Sequence, residues 1–297
     1  MKPRILVLGG TGLLGEPVAR RLQSDGFQVR VLSRDPVKAH RMFDGPFEVI
    51  VGEVSDRECL RRALQGCWGV HISIDGPHEL VGAKGAASLA GELGLSRIGY
   101  VSGSTVDERN RWFPMVEQKL LAEGAVADSG VPWTIFRPTW PFETLARFVR
   151  GGRAMVIGRH PTPYHWFSAG DFARMVSVAY KVEEATEECF FIHGPEAIAM
   201  HVALDRYREA LHPDIDSIST LPTWLGRVLA FVSRNQLLRY ACELMAYFDR
   251  VSELGDPTEA NRVLGAPTTT LDEWLQERKT ADSSAPLAAE DATGVAT

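Results

Sequence analysis

The stretch Gly9–Gly15, GGTGLLG, limits most what this chain can fold into. It follows an apolar run, RILVLG, and precedes a segment in which Leu14, Val18 and Leu22 recur every four residues until Gly26. The run reads as a buried strand and the recurrence as one face of a helix. A glycine turn between strand and helix serves a specific need. It brings backbone amides against a pyrophosphate, Gly12 leaves room for that approach, and Gly15 lets the helix pack on the strand. Three glycines alone are weak evidence; in this setting they are strong. Gly9, Gly10, Thr11, Gly12, Leu13, Leu14 and Gly15 are therefore read as the phosphate turn of a dinucleotide site.

The following 120 residues keep that rhythm. FQVRVLS, Phe47–Gly52, GVHISI, RIGYVSG and PWTIFRP read as strands. Between them, DRECLRRALQG (with Asp56 as N-cap), residues 82–94 and Met115–Ser129 read as helices. Alternating strands and helices predict an α/β fold, a Rossmann-type doubly wound parallel sheet with helices on both faces. We place a dinucleotide-binding domain at 1–150 and a small, mostly helical substrate region at 151–279, packing discontinuously on the first. In the latter, RAMVIG and ECFFIHG read as short strands and AGDFARMVSVAYKV as a helix capped by Asp171. Residues 280–297 are small, polar and aperiodic, and read as a disordered tail.

Charge and cysteines narrow the class. A net charge of −6 over 297 residues disfavours non-specific binding to nucleic acid or anionic membranes. Cys59, Cys67, Cys189 and Cys242 form no CxxC pair, as suits a reducing compartment. The N-terminus has no secretory pattern, and the longest apolar candidate, Leu225–Phe248, is broken by Arg227, Arg234 and Arg239. The expectation is a cytoplasmic protein without an integral membrane segment. Eight histidines without HxH, HExxH or a cysteine partner predict no metal site.

At the end of the second strand, where an acid holds the ribose of NAD, the chain has Ser33 and Arg34, with Lys38 close by. A small residue leaves space for a 2′-phosphate and a guanidinium grips it, which favours NADP. The alternative is a solvated Arg34 with Asp35 on the ribose, which gives NAD. Glu53 is a lesser candidate for the adenine edge.

GGTGLLG, VRVLSRDPVKA, YVSGS, Pro114 with Lys119, GVPWTIFRP and GDFARMV together resemble the atypical short-chain dehydrogenase/reductases of NmrA-like and isoflavone-reductase-like type. The resemblance spans most of residues 4–275. It implies that NAD(P) lies against Ser73, Ile74 and Asp75 after the fourth strand, against Val101 and Ser102 at the end of the fifth, and against Pro138, Thr139 and Trp140 at the end of the sixth. It places Lys119 beside the nicotinamide, hydrogen-bonded to ribose and acting on a proton. Ser104, or Ser102, would orient a substrate oxygen.

One departure matters. Where many relatives carry a Tyr four residues before the lysine, this chain has Met115, which donates no proton. Three expectations follow. The first is an NADP-dependent oxidoreductase reducing a carbonyl or activated double bond of a small substrate. The second is a non-catalytic NAD(P)-binding redox sensor. The third, disfavoured by the missing Tyr, is a nucleotide-sugar epimerase-like enzyme. Simpler roles compete for several residues: Lys119 as a surface partner of Glu123, the serines as turn residues, His160 and His165 as loop groups approaching a substrate. Leu221–Phe248 reads first as core packing, with a pocket cover, a homodimer face or a membrane-surface element as alternatives. If it lines the pocket with Trp140, Trp166 and Phe167, the substrate is apolar or aromatic.

Overall fold

The computed structural model describes residues 2–284. Seven parallel strands make the central sheet: β1 (Arg4–Leu8), β2 (Gln28–Ser33), β3 (Phe47–Val51), β4 (Gly69–Ile72), β5 (Arg97–Val101), β6 (Trp133–Pro138) and β7 (Glu188–Ile192). Their spatial order, β7-β6-β5-β4-β1-β2-β3, reverses between β1 and β4. Such a reversal opens a crevice outside the carboxyl ends of the strands.

Helices α1 (Gly15–Ser24), α2 (Pro36–Met42), α3 (Arg57–Leu64), α4 (Glu79–Leu93), α5 (Pro114–Ala127) and α6 (Ala169–Ala179) connect or cover them. Strand alternation divides the core. Ile5 and Val7 of β1 face a layer with Val18, Leu22, Phe172 and Val176, under α1 and α6. Leu6 and Leu8 face the other way, onto Leu60, Ala86, Leu89, Ala122 and Val126 of α3, α4 and α5. Each fully buried Val or Leu contributes about 1.5–3 kcal/mol, which is why these strands read as nearly unbroken apolar runs.

Past residue 150 the chain gives α6 and β7 back to this sheet and builds a third core around Phe142, Tyr164, Trp166, Leu204 and Trp274. Helices α7 (Met200–Leu211), α8 (Thr223–Val232), α9 (Gln236–Phe248), α10 (Thr258–Leu264) and α11 (Leu271–Ser284) follow.

Several local expectations change. Asp56 does cap α3, accepting from Glu58 N and Cys59 N. Asp171 is not the cap of α6: Ser168 Oγ accepts from Asp171 N at 3.0 Å, and the Asp171 carboxylate accepts from Thr268 N and Thr269 N. The Asp35–Pro36 pair starts an unforeseen helix, α2, with Asp35 as cap and Pro36 in the first turn. The tail expected from 280 continues α11 as far as Ser284; the rest of that expectation lies outside the described residues. Core packing also fails for much of Leu221–Phe248, where Trp224, Phe231, Val232 and Leu237 are exposed.

Candidate functional site

A cavity of about 610 Å³ opens over the carboxyl ends of the central strands. Gly9, Thr11, Gly12, Leu13, Leu14, Ser33, Arg34, Lys38, Glu53, Ser73, Ile74, Asp75, Val101, Ser102, Ser104, Lys119, Pro138, Thr139 and Trp140 all line it. Gly10 and Gly15 do not; they act beneath the turn. A Cβ at Gly10 would stand 2.8 Å from Val31 Cγ1, and one at Gly15 would stand 2.2 Å from the Gly9 carbonyl oxygen. Gly9 needs its glycine twice over, with φ +77° and an added Cβ only 2.1 Å from Ser73 O. Gly12 differs: an added Cβ would meet only Gly9 O, at 3.0 Å. Its bare backbone keeps the cavity floor open, and this floor fits a dinucleotide diphosphate.

At the end of β2 the nearest carboxylate, Asp35, does not line the cavity. Asp35 spends its side chain on the α2 cap, accepting from Lys38 N at 2.9 Å. Ser33 Oγ turns onto the same loop, donating to Asp35 O at 3.0 Å. Arg34 reaches the cavity rim without an ion-pair partner among the described residues. Lys38 Nζ spans the glycine turn to donate to Thr11 O at 3.0 Å.

The opposite end is organised by a group that the sequence did not reveal. Lys119 is only 9 % exposed, and its Nζ donates to Glu79 Oε1 at 2.6 Å. The same oxygen accepts from Tyr100 OH at 2.6 Å, and Glu79 is 3 % exposed. Burial first, and then the Glu79 carboxylate, hold the Tyr100 phenol protonated far above its ordinary range. Lys119 is therefore not a surface partner of Glu123, which instead accepts from Arg137 Nε at 2.9 Å and Nη2 at 2.5 Å. Glu79 opens α4, where an acid in a first turn normally signals only the helix dipole. Its burial depends on β5 bringing Tyr100 beneath it.

Around Lys119, Ser102 Oγ is buried without a hydrogen-bond partner among the described residues, and Ser104 is also buried. Met115 lines the cavity, so a thioether stands where the missing acid would be. Helix α9 closes this end with Tyr240, Leu244 and Phe248. Burial, followed by the carboxylates of Asp75 and Glu79, raises the Tyr240 phenol above its ordinary pKa. Phe248 packs edge-on against Trp140 with centroids 4.8 Å apart. Trp166 and Phe167 are fully buried and stay out of the cavity.

Neither loop histidine reaches the site. His160 is buried at the bond to Ile157 O, 2.7 Å away, and lies off the cavity wall. His165 comes together with His193 and Glu253, a grouping that spacing in the sequence could not show, with ligand-type atoms within 4.8 Å of one another. Its groups are engaged with each other. Glu253 accepts from the His165 backbone at 2.9 Å and contacts its Nδ1, while His193 Nε2 bonds to Leu254 O at 3.1 Å. The two imidazoles lie stacked, 14° from parallel, so their in-plane lone pairs do not converge.

Residues 9–154 match the family model described as NAD(P)H-binding. A (4-alkanoyl-5-oxo-2,5-dihydrofuran-3-yl)methyl phosphate reductase of Streptomyces griseus is 32 % identical over 197 residues, 65 % of this chain and 69 % of that protein. The NADPH-dependent quinone oxidoreductase of Escherichia coli has a similar fold, with a TM-score of 0.71 at 19 % identity over 92 % of this chain and 99 % of that one. So does NmrA, a negative transcriptional regulator solved with NADP, with a TM-score of 0.69 at 15 % identity over 95 % and 96 %. On sequence match the chain belongs to the NAD(P)H-binding family, and its architecture fits the NmrA-like, atypical short-chain dehydrogenase/reductase type.

Proposed function

We propose that this protein is an NADP(H)-dependent oxidoreductase that reduces a carbonyl or activated double bond of a small apolar or aromatic substrate. The observation that carries this reading is Lys119, a buried cation on the wall of a cavity whose other end is the glycine turn. Gly9–Leu14 would hold the diphosphate of the dinucleotide, Arg34 and Lys38 the 2′-phosphate, and Ser73–Asp75, Val101 and Pro138–Trp140 the nicotinamide half. When bound, the reduced nicotinamide supplies hydride.

The remaining chemistry belongs to the side chains. Lys119 Nζ donates one hydrogen bond to Glu79 and keeps others for the cavity, where it polarises a substrate oxygen and transfers a proton as negative charge develops there. Glu79 positions Lys119 and balances its charge; Tyr100 fixes the Glu79 carboxylate. Ser102 Oγ, buried and unpartnered, has a free donor for the same oxygen. Tyr240 adds a phenol held in its proton-bearing form, a second donor on the cavity wall. Trp140, Leu244 and Phe248 exclude water and select an apolar substrate.

The test is nucleotide binding followed by turnover. NADPH and NADH are titrated by fluorescence, then loss of reduced-nicotinamide absorbance is followed with quinones, enones and ketones. Expected are tighter NADPH binding, loss of that preference in Arg34→Ala, and consumption that falls at least about a hundredfold in Lys119→Ala. Unchanged turnover in Lys119→Ala refutes the assignment of Lys119. Met115 favours a second reading, a redox sensor: tight NADPH binding with no consumption across the panel would select it.

A further inference from the structure

Half of the large hydrophobic side chains exposed among the described residues, seven of fourteen, lie between Trp224 and Tyr240. Phe231 is 85 % exposed, Val232 75 %, Leu237 71 % and Trp224 66 %. They are not scattered. Trp224, Val228 and Phe231 follow the i, i+4, i+7 spacing of one face of α8, and Leu237 and Tyr240 the i, i+3 spacing of one face of α9. The opposite faces carry Gly226 and Ala230, and Cys242, Met245 and Ala246, which are buried. An added Cβ at Gly226 would stand 2.5 Å from Cys242 Sγ, so the two helices pack closely. The hairpin is thus apolar on its inner and its outer side, whereas a helix on an aqueous surface turns a polar face outward.

Its charge points to what covers the outer side. Residues 222–241 contain Arg227, Arg234 and Arg239 and no acidic residue, in a chain whose net charge is −6. Arg239 pairs with Glu243 at 3.0 Å; Arg227 and Arg234 have no ion-pair partner among the described residues. Free guanidinium groups beside an exposed Trp/Phe/Leu face match the boundary between anionic headgroups and acyl chains. A second copy would bring like-charged arginines together and is disfavoured.

We propose that the α8–α9 hairpin seats on the surface of an anionic lipid bilayer, with Trp224, Phe231, Val232 and Leu237 in the acyl boundary and Arg227 and Arg234 on the headgroup phosphates. No helix among the described residues is long and apolar enough to cross a membrane, so the attachment is peripheral. Because Tyr240, Leu244 and Phe248 of α9 also wall the cavity, the docked face and the pocket share one helix. On the oxidoreductase reading above, the substrate is then a lipid-soluble carbonyl or quinone-like molecule that enters from the bilayer.

The test is co-sedimentation of the full chain with phosphatidylcholine vesicles, with and without phosphatidylglycerol, at low and high salt. Light scattering of the protein alone runs in parallel. Expected is binding about thirtyfold stronger to the phosphatidylglycerol vesicles, weakened by salt. Phe231→Ser/Val232→Ser and Arg227→Glu/Arg234→Glu should each lose that binding while NADPH affinity and the circular dichroism spectrum stay unchanged. Absence of sedimentation at low salt overturns the proposal, and so does equal binding to both vesicle types. A doubled mass in solution that Phe231→Ser/Val232→Ser abolishes also overturns it, since the face would then belong to a second copy. Sedimentation needs no turnover, so its failure is separate from failure of the oxidoreductase reading.

Discussion

Replacing Glu79 with Ala removes the acceptor of two buried donors, Lys119 Nζ and Tyr100 OH, each 2.6 Å away. Breaking a buried ion pair from one side costs about 3–5 kcal/mol, because an uncompensated charge remains. The stranded phenol adds about 1–3 kcal/mol. Lys119 stands on the cavity wall, where water reaches part of its ammonium, so the sum belongs near the low end, about 4 kcal/mol. In a chain of this size that lowers Tm by on the order of 5–10 °C. Glu79→Gln keeps an oxygen acceptor and loses the charge, and should cost about half as much. The double variant Glu79→Leu/Lys119→Met removes both charges and should recover about 2 kcal/mol relative to the sum of the single changes. Urea unfolding with an unchanged m-value measures all of these. If Glu79→Ala lies within about 0.5 kcal/mol of the parent, or the double variant is simply additive, Lys119 is held by something other than the buried carboxylate.

Two more perturbations probe other parts of the chain. Gly12→Ala should leave folding intact after a shift of roughly a few tenths of an ångström at Gly9 O, the one atom that an added Cβ meets, yet weaken NADPH by at least about tenfold, or ~1.4 kcal/mol, in a fluorescence titration; full affinity would show that the diphosphate does not pass over Gly12. His71 is fully buried with neither ring nitrogen partnered among the described residues, and desolvation lowers its pKa from 6.5 to about 3. Its folded pKa lies below its unfolded one, so stability is lost as pH falls from about 6.5 toward 3, at about 1.4 kcal/mol per unit. His71→Leu should remove about 2 kcal/mol of the stability difference between pH 7 and pH 5, measured by urea melts at both; an unchanged difference would assign the acid loss elsewhere.

The glycine turn was legible because the strand–turn–helix unit makes a strict demand: a Cβ at Gly9, Gly10 or Gly15 would collide with backbone or core. The ends of β4, β5 and β6 were legible through alternation and through the family resemblance, and every residue expected there lines the cavity. Glu79 was not legible. Forty residues separate it from Lys119, and a glutamate opening a helix carries no mark of burial. Tyr240 was hidden for the same reason, since α9 is held at the cavity by long-range packing, with Tyr247 stacked on Phe113, and not by anything near it in the sequence. The amphipathic pattern of 221–248 was visible, but period alone gives the spacing of an apolar face and not the direction it points.

Met115 finds its sense in that non-local part of the site. On the oxidoreductase reading, with a thioether at the place of the usual acid, the proton comes from another group on the cavity wall. The fold provides two: Lys119 itself, held on the wall by the Glu79–Tyr100 pair, and Tyr240 from the C-terminal hairpin. They separate by experiment. If Lys119 alone serves, Tyr240→Phe should leave kcat within about twofold and change only KM, because the ring still walls the pocket. If Tyr240 is the donor, kcat should fall about a hundredfold or more at unchanged NADPH affinity. A protein in which neither substitution alters turnover would have its proton source outside this cavity, and the assignment of the site would fall with it.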